Sequence, residues 1–111
     1  MPDLPLEISV AETHSLHQTC SDFLLLDCRE PDEFAICSIA GATLLPMSQI
    51  VDRVGELAVH QGRPVVVYCH LGGRSAHVAA WLREQGFPEA QSMAGGIDVW
   101  AAEIEPGMAR Y

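Results

Sequence analysis

Residues 65–82, VVVYCHLGGRSAHVAAWL, decide how the rest of the chain reads. Val65 to Tyr68 is a strand with no polar position on either face. Runs of that kind belong to parallel sheets covered by helices on both sides. Cys69 stands at the first position past the strand. Two glycines, Arg74 and Ser75 follow, and residues 75 to 85 then read as a helix. Val78, Ala79, Trp81 and Leu82 share one arc of it, while His77, Arg83 and Glu84 lie outside.

The same alternation of strand and helix extends outward. LEISV predicts a strand over Leu6–Val10, and AETHSLHQ a short helix. A turn is expected at 21–22, then a continuous apolar strand, Phe23 to Leu26. PDEFAI opens with proline and acids, as the first turn of a helix does. A strand at 43–45 is stopped by Pro46. Apolar positions 47, 50, 51, 54, 57 and 58 predict a helix from Met47 to Ala58. QSM is a short strand, AGG a tight turn, and IDVWAAEI a last helix. These elements predict one α/β domain over residues 1–111, with a mostly parallel sheet of about five strands between two helix layers. Ligands of such sheets bind past the carboxyl ends of the strands. Asp27 to Glu30, Cys69 to Ser75 and Ala94 to Gly96 should meet there.

Composition narrows the function. The chain has 111 residues, 49% of them hydrophobic and 19% charged, an ordinary globular composition. Fifteen acidic residues against six basic ones, all arginine, give a net charge of -9. That balance lacks the basic footprint of a nucleic-acid binder. With no lysine, Schiff-base chemistry on a lysine side chain is excluded. No apolar run reaches the roughly 20 residues of a membrane span, and no secretory signal opens the chain. A cytoplasmic, monomeric protein is expected. Cys20, Cys28, Cys37 and Cys69 lack the spacing of a zinc site, so no metal is expected. The first three read as small hydrophobes.

Cys69 reads differently. A thiolate attacks and a thiol does not, so a working cysteine needs a lowered pKa. Gly72 and Gly73 can turn successive N–H groups inward as an anion nest. A helix starting at Ser75 aims its positive end at the loop. Arg74 and His70 add local positive charge. Together these would stabilise a sulfur anion and an oxyanion above it.

YCHLGGRSAHVAAWLREQGF resembles the active-site loop and following helix of rhodanese-like sulfurtransferases, whose pattern is Cys-x-x-Gly-x-Arg-Ser. LLDCREPDEFAICSIAGATLLP is similar to the family's Asp-x-Arg-x-x-x-Glu-aromatic segment. MAGGIDVW is similar to its closing Gly-Gly-(aliphatic)-x-x-Trp. The three occur in family order over about residues 5 to 105. The ending WAAEIEPGMARY is similar to the tail of rhodanese domains joined to E1-like enzymes that activate sulfur-carrier proteins.

The resemblance implies a rhodanese-like α/β/α fold and sulfur transfer by a double displacement. Cys69 would take the outer sulfur of a donor such as thiosulfate as a persulfide and pass it to cyanide, a thiol or a carrier protein. Arg74, His70, Leu71, Gly72, Gly73 and Ser75 would hold substrate, and no cofactor is required. The alternative is a relay domain that docks a partner and turns over little alone. Phosphatases and arsenate reductases of this fold use a loop one residue longer, and the phosphatases carry His where this chain has Tyr68. That third reading is disfavoured.

Several residues have plainer expectations. Asp27 and Arg29 read as scaffold bordering the site, with Glu33 reaching back to Arg29 and Asp27 accepting N–H groups of its own turn. Cys28 shares the sheet edge with Cys69 and is a candidate relay thiol. Cys37-Ser38 replaces the family's Gly-His. Cys37 reads as a filler of the glycine's place, with a resolving thiol as the alternative. His14, His17, His60 and His77 read as isolated surface residues, and Trp81 and Trp100 as packing.

Overall fold

The two apolar strands lie side by side at the centre of a parallel sheet. The computed structural model describes residues 4–19 and 22–111. Cys20, and Ser21 of the expected turn, lie outside them. In chain order the elements are β1 (Glu7–Ile8), α1 (Val10–Thr19), β2 (Leu24–Asp27), α2 (Pro31–Ile36), β3 (Thr43–Leu44) and α3 (Ile50–Arg53). A 3-10 helix (Val54–His60), β4 (Val65–Tyr68), α4 (Gly73–Glu84), β5 (Ala90–Met93) and α5 (Gly96–Glu103) complete them. The strand order is β1-β5-β4-β2-β3, and every pairing is parallel. The sheet is therefore wholly rather than mostly parallel.

Each face of the sheet has its own core. Leu24, Leu26, Val65 and Val67 meet Ile50, Leu57, Val78, Ala79 and Leu82, from α3, the 3-10 helix and α4. Leu25, Val66 and Tyr68 meet Val10 of α1 and Ile97 and Trp100 of α5. Successive strand residues point to opposite faces, so two covered faces require an unbroken apolar run. Each such Leu or Val contributes about 1.5–3 kcal/mol by leaving water. Trp100, 1% exposed, packs as expected.

The element bounds differ from expectation in two places. β1 stops at Ile8 because Ser9 caps a helix. The Glu12 N–H donates to Ser9 Oγ at 3.0 Å, and Glu12 Oε1 accepts the Ser9 N–H at 3.4 Å. This reciprocal capping box pulls Val10 into α1. The helix expected over 47–58 is α-helical only over Ile50–Arg53 and then tightens to 3-10. Gly55 weakens the α form there, and Val54 and Leu57 sit three apart, the 3-10 period. His14 and His17 are not isolated. Both are half-buried and meet the Trp100 ring edge-on at 5.6 and 5.8 Å.

Candidate active site

The three loops expected at the carboxyl edge do converge there. Asp27 pairs with Tyr68 across β2 and β4, so Cys28 and Cys69 each stand one residue past a matched pair. The third loop reaches them through α5. The N–H groups of Ile97 and Asp98 donate to the carbonyls of Cys69 and His70 at 2.9 and 3.1 Å. Gly96 has φ +62°, and a Cβ there would collide with those two carbonyls. The glycine is what lets α5 approach so closely.

With its carbonyls held outward, the loop turns its N–H groups toward sulfur. Cys69 Sγ accepts the N–H groups of Gly72 at 3.1 Å and Ser75 at 3.4 Å. Gly72 makes this turn at φ +108° and caps α4, which starts at Gly73, two residues earlier than expected. Ser75 Oγ lies 3.4 Å from Sγ and 2.7 Å from Ser92 Oγ. Once Cys69 ionises, the Ser92 hydroxyl can donate to Ser75 and the Ser75 hydroxyl to the thiolate. Burial pushes the Cys69 thiol up, but the Ser75 hydroxyl and the N–H groups of Ser75, Gly72 and Leu71 outweigh it, and its pKa is lowered. Above the sulfur lies a hollow of about 240 Å³ lined by Cys69, His70, Leu71, Gly73 and Arg74.

Arg74 is committed elsewhere. Its guanidinium donates to both Glu33 carboxylate oxygens, at 2.7 and 2.9 Å. It still adds positive field at the sulfur, since Cys69 and Arg74 each favour the other's charged form. Glu33 therefore does not reach back to Arg29 with its side chain. Arg29 instead takes the Glu33 carbonyl, at 3.3 Å.

Asp27 and Arg29 form the scaffold. Both are fully buried, and Arg29 contacts Asp27 Oδ2 at 2.6 Å. Asp27 Oδ1 accepts the Arg29 backbone N–H at 3.0 Å, as expected of its own turn. Arg29 also donates to the Cys37 carbonyl at 2.7 Å. The pair thus ties β2 to the segment after α2. Cys28 is fully buried, and burial, then the neighbouring Cys69 and Asp27, push its thiol far up. It stays protonated beside Cys69. Cys37 is half-buried and, among the described residues, unpaired with another cysteine.

Two site residues have no counterpart in the sequence reading. Ser92 carried a weak signal, a polar side chain on a strand facing α4. Tyr111 ends the tail WAAEIEPGMARY, whose similarity gave it no role at the site. Its hydroxyl donates to Glu33 Oε2 at 2.7 Å and accepts from Arg29 at 3.0 Å, and its ring stacks on His70. Among the described residues no cluster of three or more His, Cys, Asp or Glu side chains could hold a metal ion. No helix among them is long and apolar enough to cross a membrane.

Comparison with known proteins places the fold among relatives. The rhodanese-like domain family matches residues 9–103. A sulfurtransferase of Allochromatium vinosum is 37% identical over 97 residues, covering 85% of this chain and 89% of that protein. The probable adenylyltransferase/sulfurtransferase MoeZ of Mycobacterium tuberculosis is 40% identical over 87 residues, covering 78% of this chain. The match spans only 22% of that longer protein. The crystal structure of a rhodanese-related protein from Thermoplasma volcanium superposes with a TM-score of 0.78 at 28% identity, covering 92% of this chain and 96% of that one.

Proposed function

Since the chain belongs to the rhodanese-like domain family, we propose that it moves sulfane sulfur by holding it as a persulfide on Cys69. The observation that carries this reading is the set of donors on the sulfur: two backbone N–H groups and a serine hydroxyl around a thiol of lowered pKa. Cys69 thiolate attacks the outer sulfur of a donor such as thiosulfate. A Cys69 S–S bond forms as the donor S–S bond breaks, and sulfite leaves with the electron pair. An acceptor thiolate or cyanide then attacks the outer sulfur and returns Cys69 as thiolate. The loop N–H groups and the field of Arg74 stabilise the negative sulfur in both steps.

One observation favours the relay reading as second choice. The Arg74 charge is already matched by Glu33, so a dianionic donor meets no free cation at the hollow. A donor persulfide presented by a protein does not need one. The exposed Leu71, at the apex of the loop, would be an apolar contact for such a partner.

Intact-mass spectrometry tests the reading. Reduced protein incubated with thiosulfate, or with a persulfide donor, is expected to gain one sulfur that cyanide strips, and Cys69→Ser is expected to gain none. Loading only from a persulfide donor, with little turnover of small acceptors, selects the relay reading. No gain from either donor removes the sulfurtransferase reading.

A further inference from the structure

One hydroxyl lies under a helix where the central strands carry only Leu and Val. Ser92 of β5 pairs with Val67 of β4 and is fully buried. A buried hydroxyl without a partner is costly. Ser92 has a partner in Ser75, which is also fully buried, at 2.7 Å between the two Oγ atoms. Among the described residues no other group stands within hydrogen-bonding distance of Ser92 Oγ. The Ser92 proton therefore has one place to go, and Ser92 donates to Ser75.

A serine hydroxyl has one proton to give and two lone pairs to fill. Ser92 fills one lone pair of Ser75 Oγ. While Cys69 is a thiol, its S–H fills the other at 3.4 Å, and the Ser75 proton goes to the Gly72 carbonyl at 3.2 Å. When Cys69 ionises, the Ser75 proton turns to the sulfur. The Gly72 carbonyl keeps the Ala76 N–H at 3.2 Å, and Ser75 Oγ keeps Ser92. No group in the chain is then left unpaired. Without Ser92 the two states differ. The thiol would still donate to Ser75 Oγ, but beside the thiolate that oxygen would accept nothing. The cost falls on the thiolate alone. A hydroxyl that accepts a bond is also the better donor.

We propose that Ser92 is a positioning residue: it fixes the direction of a hydrogen-bond chain, Ser92 to Ser75 to the Cys69 sulfur, and so favours the thiolate without touching it. The inference deepens the sulfurtransferase reading and rests on it for its use in sulfur transfer. The titratable and charged groups around the sulfur are Cys28 past β2, His70 in the loop and Arg74 in the first turn of α4. None of them bonds to Ser92. A serine that merely pinned α4 to β5 would change stability and leave the titration of the thiol alone.

The rate of iodoacetamide alkylation against pH, mapped to the Cys69 peptide of the reduced full chain, tests this. In Ser92→Ala the midpoint is expected to move up. The rate at neutral pH should fall severalfold, while the rate on the high-pH plateau should not fall, which also shows that the site has stayed folded. In a Ser75→Ala background, Ser92→Ala should leave the midpoint where it is, because Ser92 acts only through Ser75. An unmoved midpoint in the single variant overturns the proposal, and so does an equal shift in both backgrounds. Sulfur loading, read separately by intact mass, keeps the two readings apart. A shifted midpoint in a protein that never loads sulfur supports the role of Ser92 and removes the sulfurtransferase reading.

Discussion

Arg74 grips Glu33, 41 positions away in sequence, through two N–H···O contacts of 2.7 and 2.9 Å. The contact joins the start of α4 to the middle of α2. It also fixes the charge state of Glu33. The Arg74 hydrogen bonds outweigh burial and, with the Tyr111 hydroxyl, hold its carboxyl at about 2.

That lowered value has a signed consequence. The folded carboxyl titrates below its unfolded value of 4.5, so its contribution is complete above that value and is lost as pH falls toward about 2. Glu33→Gln is expected to lower stability by about 1 kcal/mol at neutral pH, as a partly exposed ion pair does. Urea unfolding in steps from neutral pH toward pH 3 should show the gap between the two proteins narrowing. A constant gap would mean that the pair contributes nothing through its charge.

Ser75→Ala removes the hydroxyl from Cys69 and leaves the backbone N–H in place. The thiol pKa is expected to rise, because the charged form loses one of its hydrogen-bond donors. The midpoint of the iodoacetamide rate against pH reads this directly. An unshifted midpoint would assign the lowered pKa to the loop N–H groups alone.

Cys28→Ala tests the relay between neighbouring thiols. Burial keeps Cys28 protonated, and a protonated thiol neither attacks nor accepts sulfur readily. The variant is expected to take up sulfur on Cys69 as the wild type does, and to lose about 1 kcal/mol of stability from the buried site. A halved or absent mass gain would restore Cys28 as a participant.

Arg29→Ala leaves Asp27 as a buried, uncompensated carboxylate. The expected loss is about 3–5 kcal/mol in urea unfolding, a large part of a small domain's stability. A loss below about 1 kcal/mol would show that Arg29 is not the partner on which Asp27 depends.

The residues that are legible in sequence are those whose role is set by near neighbours. VVVY and FLLL announce a doubly covered sheet because burial on both faces leaves no polar position. Cys69, Gly72 and Ser75 announce an anion nest because the nest is built within one short loop. Arg74 shows where such reasoning stops. Its presence beside the thiol was legible, but its direction is decided by Glu33, whose position depends on how α2 packs. The assignment of Glu33 to Arg29 failed for the same reason, since a nearer candidate existed in sequence. The similarity of the tail was legible, but the contacts of Tyr111 were not, because a folded-back tail leaves no periodic pattern. The break at Val54 was missed because spacing of three fits both helix types until packing chooses one.

The carbonyls of Cys69 and His70 are held in place by amides of residues 97 and 98. A ribosome releases the chain from its amino end, so the cysteine emerges well before the residues that shape its surroundings. Until α5 docks, those two carbonyls lack the amides that hold them, and one brace of the loop around Cys69 is missing. Chains interrupted before Gly96 would carry the nucleophile without that brace. The order of synthesis thus leaves the finishing of the cysteine's surroundings to the last helix of the domain.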